Sequence, residues 1–180
     1  MGSIPIYRST IHNFDYQAKL NVVDSSYEVN MQPANDGVDH INCYSKAKTT
    51  LGRLLSNFAE TLFTCEDGKF TSIEGYWYWL SCEGNPDRDT LRRLSGFQAK
   101  QIGRRLCGND YPSGAEFQRK IKAAVKAKIE QNVSIRLLLK HSTLPLTHYY
   151  TDGTKITRDT RSDWVWKYIE EVRIELKGNK

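Results

Sequence analysis

The stretch that decides the fold runs from Ala115 to Gln131 and reads AEFQRKIKAAVKAKIEQ. Its large apolar side chains recur every fourth residue: Phe117, Ile121, Val125 and Ile129. Because residues four apart share one face of an α-helix, this spacing predicts a helix with one buried stripe and a solvated remainder. Asn132 then predicts the end of the helix, since asparagine tolerates the left-handed conformation found there.

The segments on either side add further helices and small β elements. The apolar spacing predicts helices over 74–80 and 88–94, a further apolar turn or two over 134–140, and a last helix over 162–176. Asp67-Gly68 is typical of a tight turn, which predicts a small β-hairpin between 61–66 and 70–71. The residues from Ile41 onward therefore indicate a compact, mainly helical α+β fold.

Residues 1–40 follow a different pattern. Apolar and polar side chains alternate over 16–22 and again over 27–31, which predicts a β-hairpin arm, and a turn-rich link follows over 33–37. We therefore predict two parts, an N-terminal extension over 1–40 and a single domain over 41–180.

Composition narrows the class of protein. The chain has 180 residues, of which 39% are apolar and 26% charged, and this balance favours one globular domain. No apolar run is long enough to cross a bilayer, and the first residues lack the features of a signal peptide, so we expect a cytosolic protein that does not bind a membrane. The net charge of +5 favours ligands that carry phosphate.

The cysteines and histidines do not indicate a metal site. Cys43, Cys65, Cys82 and Cys107 lie far apart, with no Cys-x-x-Cys pair, and the four histidines are equally dispersed. We therefore expect neither zinc nor a disulfide framework, and reduced, packed thiols. No phosphate-binding or dinucleotide-binding glycine motif is present, so no cofactor is predicted.

Glu74 opens the most aromatic stretch of the chain, which continues as Tyr76-Trp77-Tyr78-Trp79. One interpretation is a first-turn glutamate that faces solvent and is favoured by the helix dipole. The other is a desolvated general base or cation stabiliser beside aromatic walls that stack a planar ligand.

Two polar motifs have a similar double interpretation. Ser56-Asn57-Phe58 is either an ordinary loop or cap, or a set of hydrogen-bonding groups inside a pocket. Gly103-Arg104-Arg105, with Lys100 and two further arginines nearby, is either a solvated helix face or a phosphate-binding edge. The lysines of the 115–131 helix have the same two interpretations.

The aromatic pair Tyr149-Tyr150 precedes Asp152-Gly153. The simplest interpretation is a turn, and the alternative is a site for a sugar or a base. His141 and His148 have no partner at a spacing typical of catalysis or metal binding, so we expect both to be structural.

The order of several short motifs resembles the NADAR family of N-glycosidases. The resemblance extends from about Ile41 to Arg173 and rests on seven pieces: Ile41-Asn42-Cys43-Tyr44-Ser45, Leu55-Ser56-Asn57-Phe58, Asp67-Gly68, Ser72-Ile73-Glu74-Gly75-Tyr76, Leu91-Arg92-Arg93-Leu94-Ser95, Gly103-Arg104 and Ala127-Lys128-Ile129-Glu130-Gln131. It implies a mainly helical α+β domain that hydrolyses the bond between ribose C1 and a nitrogen. Family members act on ADP-ribosylated guanine, including guanine in DNA, or on phosphorylated ribosylamino-pyrimidine intermediates of riboflavin synthesis.

The resemblance also implies site residues. It places the family's glutamate on Glu74, as the catalytic residue, and the substrate-binding residues of its two polar motifs on Ser56, Asn57, Phe58, Gly103 and Arg104. Lys128 lies in the last matched piece and is added to the substrate-binding set. Tyr76, Trp77 or Tyr149 would stack the base, and Asp152 lies closest to the family's second carboxylate.

Gly75 and Ser81 occupy positions where the family usually has histidine and lysine, and no Trp-Gly segment follows Asp152. The basic charge and these departures favour ADP-ribosylated guanine in nucleic acid as the substrate. Two alternatives stay open, a small-molecule N-glycosidase and a non-catalytic module that binds ADP-ribose or a related nucleotide.

Overall fold

A computed structural model describes residues 32–108, 113–152 and 155–178 of the chain. The hairpin predicted over 16–31 lies outside these residues. The described part contains six α-helices: α1 (Thr50–Leu55), α2 (Ile73–Ser81), α3 (Gly96–Cys107), α4 (Ala115–Gln131), α5 (Val133–His141) and α6 (Asp163–Gly178). It also contains six short strands: β1 (Ile41–Asn42), β2 (Phe63–Cys65), β3 (Gly68–Phe70), β4 (Leu146–Thr147), β5 (Tyr150–Asp152) and β6 (Lys155–Thr157). The predicted α+β class is confirmed.

Helix α2 lies at the centre of the fold because its side chains are mostly apolar or aromatic. Ser72 caps its first turn, accepting from the backbone N–H of Gly75 at 3.0 Å and donating to the carbonyl of Leu94 at 2.8 Å. Tyr76 is fully buried and packs against Phe70, with ring centroids 4.7 Å apart. The helix start and its core face are thereby both fixed.

Helix α3 packs closely on α2 through small side chains. Ala99 and Gly103 are its buried residues. A Cβ atom at position 103 would lie 2.1 Å from Cγ of Tyr78, so only glycine allows the two helices to approach this closely. The sequence analysis did not predict α3 as a separate helix, because its two fully buried residues are the small Ala99 and Gly103.

A disulfide between Cys82 and Cys107 joins the C-terminal ends of α2 and α3. The expectation that all the thiols are reduced is therefore wrong for this pair. The two cysteines are 25 residues apart in sequence. They meet because α3 packs against α2 with the C-terminal ends of both helices side by side. Cys43 and Cys65 are free thiols.

The strands pair in three small sheets. β2 and β3 form the predicted antiparallel hairpin, β5 pairs with β6, and β1 lies parallel to β4, with Ile41 opposite Leu146. The side chain of Asn42 bonds both backbone groups of Tyr149, its amide donating to the carbonyl and its oxygen accepting from the N–H, each at 3.1 Å. This pairing brings the residues after β1 next to the residues after β4.

The other predicted helices are observed with small shifts. Helix α4 covers the predicted stretch, Asn132 separates it from α5, and α6 begins one residue later than predicted. The segment predicted as a helix over 88–94 is a 3-10 helix, Pro86–Arg93, and α1 lies in a region where no helix was predicted. No helix among the described residues combines the length and apolar character needed to cross a membrane.

Candidate active site

A cavity of about 770 Å³ opens between α2, α3, the 56–58 loop and the segments that follow β1 and β4. Its volume lies within the range of sites that hold nucleotide-sized ligands. Aromatic rings form much of its wall: Tyr44, Phe58, Trp77, Tyr78, Phe97, Tyr150 and Trp166. Its charged lining side chains are four cations and two carboxylates: Lys46, Lys100, Arg104, Arg161, Glu74 and Asp159. Stacking and charge attraction are therefore both available to a ligand.

Glu74 lies in the first turn of α2 and lines this cavity. Its backbone N–H donates to the carbonyl of Asn57 at 2.9 Å, which fixes the helix start against the 56–58 loop. Burial raises the pKa of the Glu74 carboxyl to about 7, against the opposing effect of the Lys100 and Arg104 charges. A carboxyl group with a pKa near 7 is suited to exchange protons at neutral pH. This environment differs from that of a first-turn glutamate facing bulk water.

The 56–58 loop is held by three other parts of the chain. The carbonyl of Asn57 accepts from Glu74 in α2, and the carbonyl of Phe58 accepts from the N–H of Gly96, at the start of α3, at 3.1 Å. Behind the loop, Nζ of Lys128 donates to the carbonyl of Ser56 at 2.8 Å. Ser56, Asn57 and Phe58 all line the cavity, as expected for pocket residues.

One face of α3 supplies two of the four cations of the cavity. Phe97, Lys100 and Arg104 occupy positions i, i+3 and i+7 of the helix, which places them in one line along the wall. Lys100 lies over the ring of Phe58, with Nζ 5.7 Å from its centroid. Arg104 was expected in the site, whereas Lys100 was assigned only to a neighbouring phosphate-binding edge and Phe97 was not predicted.

The opposite wall is built around His148. Its ring stacks on Trp166 with centroids 4.3 Å apart, and Tyr150 meets it edge-on at 4.7 Å. Nδ1 of His148 lies 2.9 Å from the carbonyl of Cys43, so Nδ1 is the protonated nitrogen. Burial lowers the pKa of His148, which favours the neutral ring. His148 was expected to be structural, but it forms part of the cavity wall.

Trp77 was expected to stack the base, and it lines the cavity from α2. Its ring stacks on Trp164 of α6 at 5.9 Å and meets Phe117 of α4 edge-on at 4.8 Å. These contacts fix the ring between two other helices.

Five of the expected substrate-binding residues do not line the cavity. Tyr76 faces the core, where its hydroxyl donates to Asp67 at 2.6 Å, and Tyr149 is buried with its hydroxyl 2.7 Å from Nε2 of His40. Asp152 is exposed at the end of β5. Gly103 contacts Tyr78 and has a packing role. Lys128 is buried behind the 56–58 loop and contacts its backbone.

Lys128 is a buried lysine with an unusual environment. Its Nζ contacts the carbonyls of Leu55 and Ser56, and it forms no ion pair among the described residues. Burial lowers the pKa of Lys128 to about 7. The residue supports the loop that Glu74 depends on, and we treat it as a positioning residue.

This pKa predicts a pH-dependent stability. An unfolded lysine titrates near pH ~10.4, so between about pH 7 and pH 10 the unfolded chain binds a proton that the folded chain does not. The unfolding free energy should therefore rise with pH in this window, by about 1 kcal/mol per pH unit. We expect Lys128→Met to lose this rise when urea unfolding is compared at pH 7 and pH 9.

The control is Lys122→Met, which removes a lysine of the same helix that lies over the ring of Tyr168. This variant should keep the pH slope of the unmodified protein. Equal slopes for Lys128→Met and the unmodified protein would show that Lys128 is protonated in the folded state.

The residues missed by the sequence analysis come mainly from distant segments. Tyr44 and Ser45 follow β1, and His148 and Tyr150 follow β4, so only the pairing of these strands brings them together. Tyr78 is one α-helical turn after Glu74, a spacing that indicates a shared face. Within the described ranges, no group of three or more His, Cys, Asp or Glu side chains is placed to hold a metal ion.

These elements define an α+β domain in which α2 and α3 form one wall of an aromatic cavity that contains the Glu74 carboxyl group. The E. coli protein YbiA, whose structure was determined by NMR, has a similar fold, with a TM-score of 0.57. The two chains are 20% identical, and the match covers 77% of this chain and 89% of YbiA. At this level of identity the likeness establishes the fold. No family model and no curated protein matches the sequence.

Proposed function

We propose that this protein is an N-glycosidase that removes ADP-ribose from ADP-ribosylated guanine in DNA. The observation that carries the proposal is Glu74, a carboxyl group with a pKa of about 7 in the wall of an aromatic cavity that also contains Lys100 and Arg104. The motifs that resemble the NADAR family, to which YbiA belongs, support the same chemistry. The fold shared with YbiA is consistent with it.

The reaction adds one water across the bond between ribose C1 and the guanine nitrogen. The bond electrons leave with guanine, positive charge develops at C1, and the water oxygen bonds to C1. One water proton passes to Glu74 and then to the guanine nitrogen, and the other stays on the new C1 hydroxyl. A fixed carboxylate beside C1 stabilises this charge and accepts a proton from the attacking water. Glu74 would have both roles, because its pKa lies near the working pH.

The rest of the cavity would bind the two ends of the substrate. Tyr150 presents a ring on which a planar base can stack, an interaction of about 1–3 kcal/mol per base, whereas the Trp77 ring borders the same space but is buried against Trp164 and Phe117. Arg104 would hold the diphosphate, since a guanidinium group forms charge-assisted hydrogen bonds to phosphate oxygens. A guanine within DNA must leave the base stack to reach Glu74.

The test is to incubate the full-length protein with a DNA oligonucleotide that carries one ADP-ribosyl-guanine and to follow the oligonucleotide mass. We expect loss of the ADP-ribosyl group and recovery of the unmodified oligonucleotide. A product lacking guanine would mean that the deoxyribosyl bond is cut instead. An unchanged mass would contradict the proposed substrate.

Two further assays separate the alternatives if the mass is unchanged. Hydrolysis of a phosphorylated ribosylamino-pyrimidine would identify a small-molecule N-glycosidase. A thermal shift with ADP-ribose, without turnover of either substrate, would identify a binding module.

A further inference from the structure

Phe97 is an unusually exposed aromatic residue at the rim of the cavity. Phe97 is 69% exposed to solvent, whereas large aromatic residues normally have most of their surface buried. It is also well anchored, because the preceding residue, Gly96, donates its N–H to the carbonyl of Phe58 in the cavity wall. An exposed ring on a fixed backbone presents a flat apolar surface to solvent.

Two cations continue from Phe97 along the same face of α3. Lys100 and Arg104 lie three and seven residues further on, so the line from Phe97 to Arg104 is about 10 Å long at 1.5 Å per residue. Neither side chain forms an ion pair within the part of the chain that the structure describes. Both line the cavity, as does Lys46 from the segment after β1, which is likewise without an ion pair there.

This combination of a ring and cations favours one kind of partner. Sequence-tolerant binding of single-stranded nucleic acid uses exposed aromatic rings, on which bases stack, beside cations that contact the phosphates. A protein partner would more commonly bury an exposed ring such as Phe97 under apolar side chains. The cations beside Phe97 therefore favour a nucleic-acid partner over a protein partner. The chain's net charge of +5 further favours a polyanion.

We infer that Phe97 and Lys100 form a platform for a nucleic-acid strand at the mouth of the cavity. A base next to the modified guanine stacks on Phe97, and its phosphate contacts Lys100. This inference rests on the proposed function, and it adds how the strand outside the cavity is held. It assigns Phe97 to the recognition of the strand and leaves the chemistry to Glu74.

The test measures binding of an unmodified, fluorescently labelled single-stranded oligonucleotide by anisotropy, so it does not need turnover. A lost base stack is worth about 1–3 kcal/mol, which corresponds to a loss of affinity of about 5-fold to 150-fold in Phe97→Ala. Phe97→Trp should retain binding. The matched control is Ile174→Ala on α6, because Ile174 is 64% exposed and does not line the cavity.

A second measurement follows the dependence of affinity on salt. Lys100→Gln should reduce the slope of log affinity against log salt concentration by about 0.7, as expected for one lost phosphate contact to a single strand. Phe97→Ala should leave this slope unchanged, since it removes no charge.

Three results would overturn the inference. They are undetectable binding of the oligonucleotide, equal binding by Phe97→Ala and the unmodified protein, and a loss in Phe97→Ala of affinity for ADP-ribose alone. The last result would place the adenine of the ligand on Phe97. Oligonucleotide binding that depends on Phe97, without cleavage of ADP-ribosyl-guanine, would instead support the platform and contradict the proposed reaction.

Discussion

Replacing Glu74 by glutamine should lower the turnover of ADP-ribosyl-guanine by two orders of magnitude or more. Glutamine keeps the size of the side chain but can neither carry the negative charge that stabilises the cationic C1 nor accept a proton from water. Affinity for ADP-ribose should change little, because the aromatic walls and the cations are left in place. Single-turnover rates and ADP-ribose titration measure the two effects separately.

The pH profile gives a second readout of the same residue. Glu74 is active as the carboxylate, so with a pKa of about 7 the value of kcat/KM should fall as the pH drops through 7. Glu83→Gln is the matched control, because Glu83 is exposed just after α2 and does not line the cavity. Glu83→Gln should keep both the rate and the profile. Full turnover by Glu74→Gln would remove Glu74 from the mechanism.

The same pKa has a consequence for stability that requires no substrate. The folded chain holds a proton on Glu74 at pH values where the unfolded chain, with a pKa of about 4.3, has released it. Stability should therefore fall as the pH rises from about 4 to 7, and above pH 7, where both states are ionised, it should fall no further. At pH 8, Glu74→Gln should be more stable than the unmodified protein by up to about 4 kcal/mol.

The second large effect concerns the disulfide between Cys82 and Cys107. Its reduction, or Cys107→Ser, should lower the unfolding free energy by about 3 kcal/mol, because the bond restricts the unfolded chain across a separation of 25 residues. Urea unfolding with and without dithiothreitol measures the difference. The bond joins the two helices that carry Glu74 and Arg104, so substrate affinity should also fall on reduction.

Cys65→Ser is the control for this experiment, since Cys65 is a free and partly buried thiol. It should leave the response to dithiothreitol unchanged. Detection of four free thiols in the unfolded, unreduced protein would show that the two sulfur atoms are not bonded.

The elements that could be predicted from the sequence are those with large apolar residues at regular spacing. Helix α4 was predicted from its stripe of Phe117, Ile121, Val125 and Ile129, and α2 was predicted from its aromatic run. Helix α3 was missed, because the face it buries contains Ala99 and Gly103. Close packing of small residues weakens the hydrophobic period, which in α3 is carried only by the partly buried Ile102 and Leu106.

The candidate site divides in the same way between residues that the sequence predicts and residues that it does not. Glu74 and the 56–58 loop were found because each forms a local motif with polar groups beside apolar ones. His148 was not found, and Tyr150 was noted only within the Tyr149-Tyr150 pair, because both reach the cavity through the parallel pairing of β1 with β4. Tyr149, the aromatic residue between them, was selected instead. Alternation along an extended segment turns its side chain to the opposite side, where it contacts His40.

The three attachments of the 56–58 loop also bear on the conformational entropy of binding. A loop already hydrogen-bonded to Glu74, Gly96 and Lys128 has few conformations left to lose when a ligand arrives. The position of this wall of the cavity is therefore set before binding. Selectivity in such a preorganised cavity depends on the shape of the ligand. Substitutions at Lys128, which lies behind the 56–58 loop, would therefore change which ligand shapes fit.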